Sequence, residues 1–419
     1  MLLAALPAAC GPGAPELPLS SREVALALSH APLEPPPPDE TNRFQADPRA
    51  ARLGQMLFFD ARVSANGEVS CATCHVPERA FTDGRPVARG LGEGHRNTPT
   101  VVNVSYSRWF FWDGRADTAW AQALQPLESE HELGASRLQL AHLLHGDPEL
   151  REAYEGLFGA LPPLGDGERF PREARPVPGD PEHPHQRAWL GMEDGDRAAV
   201  DRVLANAAKA LAAYEHRLVS RRSPFDRFAE GLVDGDPEKL GALGPRALEG
   251  LRLFLGKAGC RQCHVGPLFS DGEFHNVGVP PRGGGRPRDP ARYAGARAVL
   301  ADPFNARGAH SDDPQGPRAR RLGALRNPPE SWGQYKTPSL RNVAATAPYM
   351  HAGQFASLRE VVEYYSTLEG AVVAGHHREL VLQPLALSER EIDALVAFLE
   401  SLTDLDLPAE LLAPPARDV

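Results

Sequence analysis

Sulfur is scarce in this 419-residue chain, which has five cysteines and four methionines: Met1, Met56, Met192 and Met350. So few cysteines exclude a disulfide-stapled scaffold, and so few thioethers leave little choice for any soft-ligand role. No stretch beyond the N-terminus approaches the roughly 20 consecutive apolar residues of a membrane-spanning helix. There is no excess of positive charge, with 45 basic against 55 acidic residues and a formal net charge of −10. That balance excludes a broad nucleic-acid-binding surface and leaves an acidic face able to steer basic partners. Convincing strand signals are also few. At 42% apolar residues the chain is an ordinary globular protein, long enough for two or three cores.

Four of the five cysteines stand in two C-x-x-C-H motifs, "CATCH" at 71–75 and "CRQCH" at 260–264. This spacing is what covalent haem attachment requires: Cys71, Cys74, Cys260 and Cys263 form thioethers with the porphyrin vinyls, and His75 and His264 supply axial ligands to iron. No further Cys/His pairs stand nearby to complete a tetrahedral zinc site. Cysteines committed to haem predict maturation outside the cytoplasm, hence a periplasmic or exported protein. The leftover Cys10 ends "MLLAALPAAC", which resembles a lipoprotein signal lacking a basic n-region and makes Cys10 the candidate for a lipid anchor.

Residues 1–10 are therefore read as a signal remnant and 11–40, ending in "APLEPPPPDE", as a proline-rich tether. "DPRAARLGQMLFFD" from Asp47 leads into the first motif, and "GPRALEGLRLFLGKAGCRQCH" from Gly244 repeats the arrangement. The duplication predicts an N-terminal haem domain over 41–230, a C-terminal one over 231–405 and a tail over 406–419. Apolar spacing predicts long helices at 196–220 and 388–402, the second opened by a capping box of Ser388 and Glu391. Segments 159–187 and 281–331 lack periodicity and read as long loops. The expected fold is mostly α: two cytochrome c-like domains, each with one covalent haem, joined by long irregular loops.

The stretches "SCATCH", "AFTDG", "RNTPTVVN", "FWDGR", "CRQCHVGPLFSDGEFHNVGVP", "KTPSLRNVAATAPYMHAG" and "LREVVEYY" make the chain similar to the bacterial di-haem cytochrome c peroxidase and MauG superfamily over residues 47–403. The resemblance implies a peroxidatic N-terminal haem acting on hydrogen peroxide and a C-terminal haem for electron entry or storage. It implies an acid–base role for Glu132, with Gln122 and Pro126 in the distal pocket. Trp112 falls at the inter-haem tryptophan, Arg96 among the cofactor-binding residues, and Asn97, Thr346 and Pro348 at an inter-domain calcium site, where hard oxygen ligands suit the ion. Glu128 and Glu130 are expected to be surface charges, and Trp109 a core aromatic.

Two positions depart from the ordinary peroxidase pattern. Where many relatives carry a histidine that blocks the first iron, this chain has a place near Gly90, and the neighbouring His95 reads as a loop residue. Fourteen residues after His351, where peroxidases place a methionine, stands Tyr365, as in MauG-type members; Tyr364 and Met350 are the competing ligands. The tryptophan through which MauG oxidises its partner has Ala258 in its place. The resemblance thus implies a peroxidase fed by a small cytochrome c or cupredoxin. The alternatives are a MauG-like enzyme oxidising residues of a partner protein, and a two-haem electron carrier or sensor.

Overall fold

The computed structural model describes residues 19–373, 375 and 379–416. Cys10 and the signal-like segment lie outside the described residues. The elements that frame the site are α1 (Ser21–Leu28), α2 (Pro48–Phe59), α3 (Ala119–Glu128), α4 (Asp194–Glu215), α5 (Pro224–Asp234), α6 (Pro245–Leu255), α7 (Leu358–Thr367) and α8 (Glu389–Glu400). A two-stranded antiparallel pair joins β1 (Phe274–His275) to β2 (Tyr335–Lys336).

Each haem motif follows a helix that crosses the closing helix of its unit at very short range. In the first unit a β-carbon on Gly54 of α2 would lie 1.9 Å from the carbonyl oxygen of Ala210 on α4. In the second, one on Gly250 of α6 would lie 1.9 Å from that of Ala394 on α8. Only glycine permits backbones to approach this closely. Around these crossings Leu53, Leu57, Phe58, Trp120 and Tyr214 fill one core, and Phe225, Phe254, Phe269 and Phe398 another.

The duplication extends beyond the motifs. Residues 96–128 repeat as 335–367 without a gap. Asn103 and Asn342 both adopt left-handed backbone, at φ 62° and 61°. Their amide oxygens accept from Ser220 N and Asp404 N, and their own N–H groups donate to Leu218 O and Leu402 O. Gly114 and Gly353 make the same left-handed turn, and Thr118 and Ser357 cap α3 and α7.

The flanking segments depart from the sequence reading. The 11–40 stretch is not a free tether over its described part: Leu19, Val24 and Ala27 pack into the second core, and His30 is buried. The tail, over its described part, 406–416, docks on the first unit, where Leu407 and Leu411 join the core and Tyr214 donates from its hydroxyl to Leu411 O. Phe225 and Phe228 of α5 belong to the second core, so that unit begins before residue 231. The 281–331 segment holds helices Arg292–Ala301 and Pro317–Gly323 and sends Phe304 into the first core. Within 159–187, Leu164, Phe170 and Ala174 are buried in that core too. In each case a few scattered apolar residues are anchored by contacts distant in sequence, which local periodicity does not register. Glu128 is likewise no surface charge, since it pairs with buried Arg137 at 2.6 Å.

Candidate active site

Both haem motifs open onto one cavity of about 2030 Å³. Single small-molecule pockets rarely exceed about 1,000 Å³, so the space suits two large groups. His75 donates from Nδ1 to Phe81 O at 3.0 Å, and His264 from Nδ1 to Phe269 O at 2.7 Å. Each bond fixes the tautomer that leaves Nε2 bare for a metal. Burial lowers both imidazole pKa values and keeps the rings neutral, as an iron ligand must be. All four cysteines are unpaired, and burial pushes the thiols of Cys71 and Cys260 up to about 12. Cys263, Asp271 and His275 sit within 4.8 Å of one another in a metal-like cluster. Since Cys263 belongs to the haem motif, His275 is better described as an imidazole held between Asp271 at 2.9 Å and Glu379 at 3.0 Å.

In the first chamber Glu132 stands on the turn after α3, which closes through Leu133 N donating to Pro126 O at 3.1 Å. Burial raises the Glu132 carboxyl pKa, with Arg115 opposing the shift. Gln122, Pro126 and Glu132 line the cavity together. Three buried oxygens on cavity-lining residues have no hydrogen-bond partner: Oγ1 of Thr98, Oε1 of Gln122 and Oε2 of Glu215, whose carboxyl burial drives up to about 8. Orphaned acceptors beside a histidine with a bare Nε2 fit a chamber completed by a haem and its bound water or peroxide. The loop facing them contributes backbone. Leu91 N donates to Glu132 O, and a β-carbon at Gly90 would lie 2.5 Å from that same oxygen. His95 is exposed on this loop, its ring 6.0 Å from that of His131.

The second chamber carries Tyr365, which lines the cavity. Burial, then Tyr364 and the thiols of Cys260 and Cys263, raise its hydroxyl pKa. Tyr364 instead donates to Val277 O at 2.8 Å and packs in a small core with Met350 beside it. The internal repeat puts Tyr365 at the position that Pro126 occupies in the first unit, eight residues after the helix cap. Lys336 enters this chamber from β2, and burial lowers its ammonium pKa to about 8. Ala258 is buried in the second core.

Between the chambers lies an open circuit of hydrogen bonds that links the two units. Trp112 donates from Nε1 to Asn97 O at 2.9 Å, Asn97 N donates to His351 O at 2.8 Å, and Lys336 N donates to Trp112 O at 2.8 Å. Trp112 and His351 are repeat equivalents, as are Asn97 and Lys336, so the two units offer each other matching surfaces. Arg96 bridges Asp113 at 2.5 Å and Asp289 at 2.8 Å. Asn97 spends its amide nitrogen on Arg85 O, and Thr346 and Pro348 line the same cavity. Trp109 packs against Val299 and Leu322, under the Arg292 guanidinium. Sequence reading missed Glu215, Lys336, Tyr335 and Asp289. A gap-free comparison of 96–128 with 335–367 would have flagged Tyr335 and Lys336 as partners of Arg96 and Asn97.

Two thiol–histidine motifs opening on one chamber, in a mostly helical chain, define a di-haem c-type protein. The chain belongs to the di-haem cytochrome c peroxidase family, whose model matches residues 48–234. It is 32% identical to cytochrome-c peroxidase IdrP1 of Pseudomonas sp. strain SCT, over 93% of this chain and 92% of that one. It is also 32% identical to the methylamine utilization protein MauG of Methylorubrum extorquens, over 85% of this chain and 78% of that one. The diheme peroxidase BthA from Burkholderia thailandensis shares the fold, with a TM-score of 0.64 and 24% identity over 90% of this chain and 92% of that one. Membership implies two c-type haems and oxidoreductase chemistry. No helix among the described residues is long and apolar enough to cross a membrane.

Proposed function

We propose that the protein reduces hydrogen peroxide to water at the first haem, with electrons from a small periplasmic cytochrome c or cupredoxin. The haems, when bound, supply the two electrons that peroxide cleavage consumes. Glu132 takes the proton from the oxygen nearer the iron and returns it to the departing oxygen, a task that needs a carboxyl tuned above its ordinary range by burial. Gln122 turns its unpartnered oxygen to the same space and orients peroxide, and Pro126 walls it. Trp112, bonded to both units, couples the irons. Asn97, Thr346 and Pro348 offer oxygen ligands for one calcium ion tying the units together. Haem attachment argues for export, and Cys10 remains the candidate lipid anchor.

The observation that carries this reading is Gly90. At Gly90, the place of the blocking histidine in many relatives, the loop is pressed so close to Glu132 that no side chain fits, which supports an open first iron. A second reading, MauG-like oxidation of residues in a partner protein, is favoured by Tyr365. A phenolate ligand stabilises ferric and higher iron, so the second site would store an oxidising equivalent rather than an electron. Adding one equivalent of hydrogen peroxide to the fully ferric protein, followed in the Soret and near-infrared, tests both. A rapid change without prior reduction is expected. Reaction of the half-reduced form alone would mean that the first iron is blocked at rest, and silence in both forms would leave an electron carrier.

A further inference from the structure

The inter-unit circuit contains an aromatic residue that the reaction as described does not use. Tyr335, at the start of β2, stacks face to face on His351 with ring centroids 3.7 Å apart and planes within 6°. It precedes Lys336, whose N–H donates to the backbone of Trp112. Its hydroxyl neighbours the Asp289 carboxylate, which ion-pairs with Arg96. Tyr335, His351 and Trp112 all line the cavity onto which both haem motifs open. A structural tyrosine needs only packing. This one has, besides, a neighbouring carboxylate held in place by Arg96, and a ring-to-ring contact shorter than the usual range of about 4.5–7 Å.

We propose that Tyr335 is a redox-active residue of the inter-haem relay, giving up an electron to the peroxide-oxidised haem pair while its hydroxyl proton passes to Asp289. The step balances: the haem pair gains one electron, Tyr335 becomes a neutral phenoxyl radical, and Asp289 becomes a carboxylic acid. The next electron from the donor restores the phenol of Tyr335 and the carboxylate of Asp289 and leaves the haem pair one electron more reduced. Electron and proton must move together here. The Arg96 guanidinium lies 5.9 Å from the ring centroid, and a cationic ring would face it across low dielectric. Burial keeps the phenol protonated at rest, and against the upward push of burial Arg96 holds the Asp289 carboxyl down to about 2. His351, which burial lowers to about 4, offers a neutral π-face.

This inference rests on the peroxide reaction proposed above. The test is rapid-freeze electron paramagnetic resonance of the holoprotein after one equivalent of hydrogen peroxide, alongside the near-infrared change. A tyrosyl-type signal is expected in the wild-type protein, with an approach slowed in D₂O. Tyr335→Phe keeps the stacked ring, so its ferric spectrum should be unchanged while the signal disappears and charge sharing slows about tenfold or more. Asp289→Asn, which retains a polar partner but cannot take the proton, should lose the signal as well. An identical signal and rate in both variants would overturn the inference alone, as would a wild-type protein that is oxidised without any tyrosyl signal. A wild-type protein inert to peroxide would overturn the proposed function and this inference together.

Discussion

Two carboxyls in the first chamber behave differently and can be separated by experiment. Glu132 lines the cavity with its pKa raised by burial, so its proton-accepting form grows as pH rises through that raised value. Glu132→Gln should slow the peroxide-driven spectral change by about 10²- to 10⁴-fold while haem content stays at the wild-type level. Stopped-flow absorbance measures the rate. Glu215 is buried near Cys71, and its carboxyl is driven from 4.5 up to about 8 by burial. Between those values the folded chain holds a proton that the unfolded chain has released, so stability falls as pH rises across that window. The thermal midpoint should therefore drop from pH 5 to pH 8 in the wild-type protein and drop less in Glu215→Gln. Glu132 could be picked out by motif position. Glu215 could not, because on α4 it looks like any polar residue at the end of an amphipathic helix.

Among the elements, the loop containing Gly90 and the turn after α3 act as one piece. Leu91 N donates to Glu132 O at 3.0 Å and Gly92 N to His131 O at 3.0 Å, with no side chain between them. Gly90→Ala would set a methyl 2.5 Å from a carbonyl oxygen and 2.7 Å from Glu132 Cα. Backbone cannot yield as a flexible side chain does, so the Glu132 turn must move. The expected result is loss of peroxide reactivity with haem retained in both sites, read by pyridine haemochrome content beside stopped-flow rates. The helices themselves were legible: α8 starts after Ser388, whose hydroxyl accepts from Glu391 N as the capping box requires. At the start of α7, Ser357 and Glu360 have the same spacing but form only half a box: Glu360 N donates to Ser357 Oγ, while the Glu360 carboxylate accepts from Ala356 N. A cap's first bond follows from local spacing, whereas its second depends on which donor the fold leaves within reach.

At the scale of the whole molecule the first and last described segments are exchanged between the haem units. The N-terminal stretch around α1 packs on the second unit, where His30 contacts His264 O at 3.2 Å. The C-terminal tail packs on the first, and Gln55 donates from Nε2 to Glu410 O and Ala413 O. Leu411, 1% exposed, is the tail's deepest anchor. Leu411→Ala should cost about 2–5 kcal/mol. Differential scanning calorimetry should show a lower midpoint for the first unit; an unchanged midpoint would mean that the tail merely rests on the surface.

By itself the sequence determined two haem attachments with their candidate histidine ligands, through fixed C-x-x-C-H spacings, and a mostly helical duplicated architecture; Glu132 as the acid–base candidate came from the resemblance to the family. Only the tertiary structure decided which tyrosine faces the second chamber, since Tyr364 and Tyr365 are neighbours and a step of about 100° around the helix sends their hydroxyls to different places. It also decided that Gly90 closes on Glu132, that the first and last described segments are straps and that Tyr335 lies on His351. Each of these joins residues far apart in sequence, and only packing brings them into contact.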